Sequence, residues 1–157
     1  EVGVDAARWF FASRAHTSAI DFDIELAKKQ SAENPVYYVQ YAHARIASIV
    51  RKAAEARLAP AESVAGSLSG APEAALARAL TRLPEVVEDA VRDEETHGIT
   101  AYATELATTF HAFYRDARVV DPEQPDRSRA RLALARATQI TLANALGLLG
   151  ISAPESM

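Results

Sequence analysis

Tyr38, Tyr41, Arg45, Ser48 and Lys52 recur three or four residues apart in the run from Asn34 to Ala53. On a helix, that spacing puts them on one ridge. Stacking rings interleaved with guanidinium and ammonium groups suit an unpaired nucleotide, whose base offers a π-face and whose backbone offers negative charge. Tyr114 and Arg118 repeat the four-residue spacing of Tyr41 and Arg45. The bland alternative is that each tyrosine packs at a core margin while its arginine covers the helix.

Other chemistry finds little support. Glu94 and His97 form an E-x-x-H pair, which in helical bundles can bind a di-iron centre, but only with a second copy and two further glutamates. No second copy is present. His16, His43 and His111 stand apart without ligand spacing. No serine sits in a nucleophile elbow, and no glycine-rich phosphate loop occurs. With no cysteine there is neither a disulfide framework nor a thiolate metal site. The expectation is therefore no catalytic residue, no metal and no cofactor in this chain. Arg127, Arg129, Arg131 and Arg136 make a basic cluster, which reads either as a solvated face or as a phosphate rail.

Three separated segments, in order, carry a resemblance. NPVYYVQYAHAR, from Asn34 to Arg45, strongly resembles the carboxy-terminal anticodon-binding domain of the arginyl-tRNA synthetase family. GVDAARWFFASR, from Gly3 to Arg14, looks like the family's "DALR" helix, with Asp5, Ala6, Ala7 and Arg8 at the name-giving letters. The tail from Ala130 to Met157 resembles the family's last helix and its Gly-Ile/Val-x-Ala-Pro-Glu-x-Met ending.

The resemblance implies an all-α helix bundle of the class I synthetase anticodon-binding type. It implies that Tyr41, Tyr114 and Met157 enclose the middle anticodon base, with Arg45 beside that pocket. Some family members have tryptophan at the position of Arg118, whose guanidinium can stack but also brings charge. Backbone groups near Asn34 would read the base edge, and Tyr38 extends the ridge. Asp5 and Arg8 are assigned structural roles, and their spacing allows them to pair along the helix. The implied partners are the tRNA(Arg) anticodon stem-loop and a catalytic domain with HIGH-type and KMSK-type signatures, which would use ATP and Mg. Neither signature occurs here, and the chain begins at Glu1, so it is expected to be a fragment.

Periodicity supplies the elements that would position these residues. A helix is expected from Val4 to Arg14, burying Ala6, Trp9 and Phe10, then a connector over Ile20–Asp23 and a second helix near Ile24–Ser31. The third opens with Asn34 as a side-chain N-cap and Pro35 at the first helical position, and reaches Ala56 or Leu58. Its apolar stripe is Val36, Val39, Ala42, Ile46, Ile49, Val50 and Ala53.

Residues 59–72, with Pro60, Gly66, Gly70 and Pro72, read as a flexible loop with a turn of helix near Glu62–Ala65. Short helices follow over Glu73–Thr81 and from Pro84 to about Glu95. A long one spans Gly98–Val119 with Ile99, Tyr102, Ala103, Leu106, Phe110, Phe113 and Ala117 inward. After a proline-broken loop over Asp121–Asp126, a last helix runs from Arg127 to Leu149 and stops at Gly150. Beyond it the aperiodic tail should fray by its own composition. The resemblance implies instead that it folds back onto the bundle.

The 157 residues fit one domain able to bury a core. Lacking a secretory segment or an apolar stretch of bilayer length, the chain is expected to be cytoplasmic, with no membrane partner. The net charge of −4 argues against a general polyanion binder. The acidity is concentrated in residues 59–97, which hold eight acidic and three basic residues. Screening limits the reach of distant acids to about 8 Å at physiological salt, so local basic ridges can still meet RNA. Two other readings stay open at this point: a helical protein-interaction or regulatory module with no RNA ligand, and a bundle enzyme with a carboxylate metal site.

Overall fold

Prolines in the first turn open four of the seven helices found in the computed structural model, which describes residues 2–64 and 66–157. A proline there sacrifices only an N–H that has no intrahelical partner. In chain order the helices are α1 (Val4–Ala12), α2 (Ile24–Lys28), α3 (Pro35–Glu55), α4 (Ala71–Leu80), α5 (Leu83–Asp93), α6 (His97–Asp116) and α7 (Pro125–Leu148). The described residues contain no strand, and the architecture is an all-α bundle.

The long helices α3, α6 and α7 pack on one another in all three pairings. Helix α4 sits against α6 and α7, α5 covers α6, and α1 rests on α2, α3 and α6. The shared core holds Trp9, Val39, Ile46, Leu106, Phe110, Phe113, Leu132, Leu142 and Leu146, all essentially without solvent contact. Each such side chain contributes about 1.5–3 kcal/mol relative to exposure. The whole apolar stripe expected for α6 is buried. Helix α5 buries none of its residues fully; Val86 and Ala90 only lean on the core.

Several boundaries differ from expectation for local reasons. α1 stops at Ala12 and α2 at Lys28, whose C-cap Lys29 is already extended. Pro72 lies in the first turn of α4, so the loop after α3 ends at Gly70. Glu62, Ser63 and Val64 form no helical turn, and Ala65 lies outside the described residues. The loop is tied to α7 where the Ala61 N–H donates to the Arg129 carbonyl, 3.0 Å away. Pro125 does not break the chain but starts α7.

Asn34 does not cap α3 with its side chain. Its amide donates to the carbonyls of Ala27 (3.1 Å) and Lys29 (2.9 Å), and the residue is buried. The last carbonyls of a helix lack intrahelical donors. The exit from α2 therefore captures the amide that was expected to serve the start of α3.

The end of α7 shows why the tail does not fray. Gly150 takes φ +66°, its N–H donates to the Gly147 carbonyl (3.0 Å), and the Ile151 N–H reaches back to Leu146 (2.9 Å). A left-handed residue at this position satisfies two orphan carbonyls and turns the chain back. Ile151 then buries its side chain in the core.

Candidate nucleic-acid interface

Arg45 stands between two tyrosines from different helices. Its guanidinium carbon lies 4.9 Å from the Tyr41 ring centre on α3 and 5.2 Å from the Tyr114 ring centre on α6. Its Nη2 also donates to the Tyr41 hydroxyl at 3.0 Å. Such cation–π contacts contribute about 0.5–1 kcal/mol each at exposed sites. Here they also fix the spacing of the rings.

The rings rest on a further aromatic layer. Tyr114 stacks on buried Phe110 at 6.1 Å, and Tyr37 stacks on Tyr41 at 6.4 Å. His111 lies under the α3 ridge, 5.0 Å from Tyr38 and 6.1 Å from Tyr41. Burial, reinforced by the positive charge of Arg45, pushes the His111 imidazole down to about 4. It is therefore neutral at physiological pH and behaves as part of the ring cluster.

Tyr41 and Tyr114 open onto a cleft of about 390 Å³, a size suited to a small flat ligand. Arg45, Ser48, Arg51 and Lys52 form one side, and Glu155, Ser156 and Met157 form the other. Three cationic side chains against one side-chain carboxylate make the cleft locally basic, whatever the net charge of the chain. A second cavity of about 500 Å³ shares Ile49, Lys52 and Tyr114 with it and adds Arg115, Arg118, Val119 and Val120.

The tail that supplies Met157 is held against α3. The Gln40 amide donates to the Ser152 carbonyl (3.0 Å), the His43 Nδ1–H to the Pro154 carbonyl (2.8 Å), and Arg51 to the Glu155 carbonyl (3.3 Å). The fold-back implied by the resemblance is observed; the fraying suggested by composition is not.

The structure gathers Tyr41, Arg45, Tyr114 and Met157 into one cleft. Tyr38 does not line it; its ring packs on His111, with its hydroxyl 3.4 Å from the Thr108 hydroxyl. Arg118 borders the second cavity and leans to Asp121 at 3.8 Å, so the spacing it shares with Arg45 does not yield a matching stack. Asn34 is buried away from the cleft, with its amide donors spent on backbone carbonyls. Of the basic cluster, Arg131 turns inward to Glu73 and leaves any phosphate rail, while Arg127 pairs with the same carboxylate and keeps a 36% exposed side chain.

Sequence reasoning missed three contributors. His111 and His43 looked isolated because their partners are far away in the chain, and Phe110 read only as core. Phe110 and Tyr114 do stand four apart, a signal for one stacked face.

The E-x-x-H pair is not on one helix. Glu94 ends α5 in the left-handed conformation and His97 opens α6. Among the described residues, no group of three or more His, Cys, Asp or Glu side chains is arranged to hold a metal ion. No described helix is long and apolar enough to cross a membrane.

The family model for the DALR anticodon binding domain matches residues 39–157. The chain is 50% identical over its whole length to arginine–tRNA ligase 1 of Halalkalibacterium halodurans. It is 51% identical to the arginine–tRNA ligase of Dehalococcoides mccartyi, again over its whole length. It spans 28% of the length of each of these relatives. A Campylobacter jejuni structure described as an arginyl-tRNA synthetase superposes with a TM-score of 0.83 at 29% identity, covering 100% of this chain and 34% of that one. The Thermus thermophilus arginyl-tRNA synthetase gives 0.80 at 33% identity, covering 98% and 26%. These likenesses do not favour an interaction module without RNA, and the chain belongs to the DALR anticodon-binding domain family, in the form found in arginine–tRNA ligases.

Proposed function

We propose that this domain reads the middle anticodon base of tRNA(Arg) for a cytoplasmic arginine–tRNA ligase. Ligation of arginine, with ATP and Mg, belongs to a catalytic domain outside these 157 residues. The observation that carries the reading is the Tyr41–Arg45–Tyr114 stack facing Met157 across a basic cleft. A splayed base packed on the exposed surface of the two rings gains stacking, and Met157 adapts its thioether to the opposite face. Arg45, Arg51 and Lys52 supply the charge that meets the flanking phosphates. Arg118 and the neighbouring cavity serve an adjacent nucleotide. Tyr38 supports the ridge through His111, and Asn34 acts by fixing the start of α3 rather than by touching RNA. The exposed side chains of Val4, Phe11 and Ile24 on α1 and α2 support a second contact, with the catalytic domain.

Titration with transcribed tRNA(Arg), and with the same tRNA changed at the middle anticodon base, tests the reading. Binding should fall with salt, because cations on the protein displace counterions from RNA, and should fall again on the changed tRNA. Equal affinity for both tRNAs would remove base reading from the proposal.

A further inference from the structure

The name-giving residues of the opening helix do not pair with each other; both hold the tail. Asp5 accepts hydrogen bonds from the Ser152 N–H (3.3 Å), from the Ser152 hydroxyl and from the Gln40 amide (2.8 Å). Gln40 uses the same nitrogen to reach the Ser152 carbonyl. Arg8 donates to the Gly150 carbonyl. The Arg8 guanidinium packs on Gly150, where a Cβ would meet it at 3.4 Å, an ordinary contact, so it is the φ of +66° that favours glycine there.

Three segments far apart in sequence thus converge on two consecutive turns of chain. A carboxylate that accepts three donors, one of them backbone, fixes register as well as position. From Ser152 the tail runs along α3, past His43 and Arg51, and ends at Met157 on the cleft wall. Met157 itself is half exposed, so its placement depends on what anchors the residues before it. Gly150 and Ser152 are the parts of that anchorage to which α1 contributes.

We infer that Asp5, with Arg8, is a positioning residue for anticodon reading. It sets the register of the tail through Ser152 and so holds Met157 at the cleft. This rests on the proposed use of the cleft, and it gives α1 a share in base discrimination without any contact to RNA.

The chain's only methionine is Met157, so one 13C-methyl signal reports the tail directly. In the intact 157-residue chain that signal should be displaced by the nearby tyrosine rings. Asp5→Asn and Ser152→Ala should move it toward the position of a free methionine and narrow it, with the rest of the spectrum retained. An unmoved signal in both variants would overturn the inference.

The second readout is the ratio of affinities for tRNA(Arg) and its middle-base variant. Asp5→Asn should lower that ratio by about two- to thirty-fold, the range of remote positions coupled to a site. It should have no further effect once Met157 is replaced by alanine. Equal weakening on both tRNAs, or the same loss in the Met157→Ala background, would show that Asp5 acts through general stability and would sink the idea. Tyr41→Ala separates the two proposals. If it leaves discrimination intact, the cleft reading fails and the role of Asp5 in discrimination fails with it. If Tyr41→Ala abolishes discrimination while Asp5→Asn moves the methyl signal and leaves the ratio unchanged, only the positioning inference falls.

Discussion

Glu73 and Arg131 form an ion pair inside the bundle, with Arg131 Nη2 2.8 Å from Glu73 Oε1. The carboxylate, 1% exposed, also meets Arg127 at 3.3 Å, and Arg131 spends a further N–H on the Arg118 carbonyl at 2.8 Å. One acid of α4 thereby binds α7 and, through Arg131, the exit of α6. Removing one partner of a buried pair leaves the other charge uncompensated. Glu73→Gln should cost about 3 kcal/mol, the lower end for such pairs because Arg127 can still reach water. Gly70→Ala should act on the same group, because its Cβ would run into the Glu73 carboxylate. Urea titration of both variants checks this, and wild-type midpoints would refute it.

Glu73 also sets an acid limit. Burial alone would raise its pKa, but the hydrogen bonds from Arg131 and its own backbone, with the charges of Arg131 and Arg127, hold it below the ordinary 4.5. A carboxylate lowered on folding stabilises fully above its unfolded value, and that stability is lost as pH falls through the folded value. Unfolding free energy should therefore decline below about pH 4.5, and the decline should be shallower in Glu73→Gln.

His111 acts in a higher window. Its folded value of about 4 lies beneath the ordinary 6.5, so between the two the unfolded chain binds a proton that the folded chain refuses. Stability should be full above pH 6.5 and fall progressively toward pH 4. His111→Phe keeps a ring against Tyr38 and removes the titration, so it should flatten the slope in that window. An unchanged slope would mean that His111 is charged in the folded protein.

The ring pair gives a prediction on binding. Tyr41→Ala or Tyr114→Ala should weaken tRNA(Arg) binding by about 1–3 kcal/mol, the usual cost of losing a base–aromatic stack. The loss should nearly vanish on a tRNA whose middle anticodon base is already changed. Tyr41→Phe, which keeps the ring and loses only the bond from Arg45, should lie between wild type and alanine. Melting temperatures are compared first, because Tyr114 stacks on Phe110. Equal losses on both tRNAs would assign the effect to folding or charge.

What the sequence made legible, and what it hid, divides along a physical line. The presence of α3, α6 and α7 follows from apolar period, which acts within a few residues, although α6 ends at Asp116 rather than Val119 and Pro125 opens α7 rather than breaking the chain before it. The gathering of Tyr41, Arg45, Tyr114 and Met157 was legible only by resemblance, because nothing local brings α3, α6 and the tail together. Asn34 was misassigned because an asparagine before a helix serves equally well as cap or bridge, and the carbonyls of α2 decide between them. Glu73 stands in the first turn of α4, and nothing in that short helix signals its burial. Its partners lie 54 and 58 residues further on, beyond the reach of any charge pattern read along one helix. Asp5 and Arg8 have the spacing of a helical pair, yet Arg8 meets Gly150, 142 residues on, and Asp5 meets Gln40 and Ser152, 35 and 147 residues on.

The last three residues should separate stability from recognition. Ile151 is buried and Ser152 is bonded to Asp5, whereas Glu155, Ser156 and Met157 are exposed and, among the described residues, are bonded to the bundle by Arg51 to the Glu155 carbonyl at 3.3 Å. An exposed hydrogen bond contributes about 1 kcal/mol at most, and little apolar area is lost with these residues. Deleting Glu155, Ser156 and Met157 should thus leave the thermal midpoint nearly unchanged. The cleft, however, loses one whole wall. Discrimination at the middle anticodon base should fall while residual binding, carried by Arg45, Arg51 and Lys52, keeps its dependence on salt. In a full-length ligase the same deletion should lower aminoacylation more than arginine-dependent ATP chemistry. A truncated chain that still separates cognate from changed anticodons as well as the intact one would show that the tail is no part of the reading cleft.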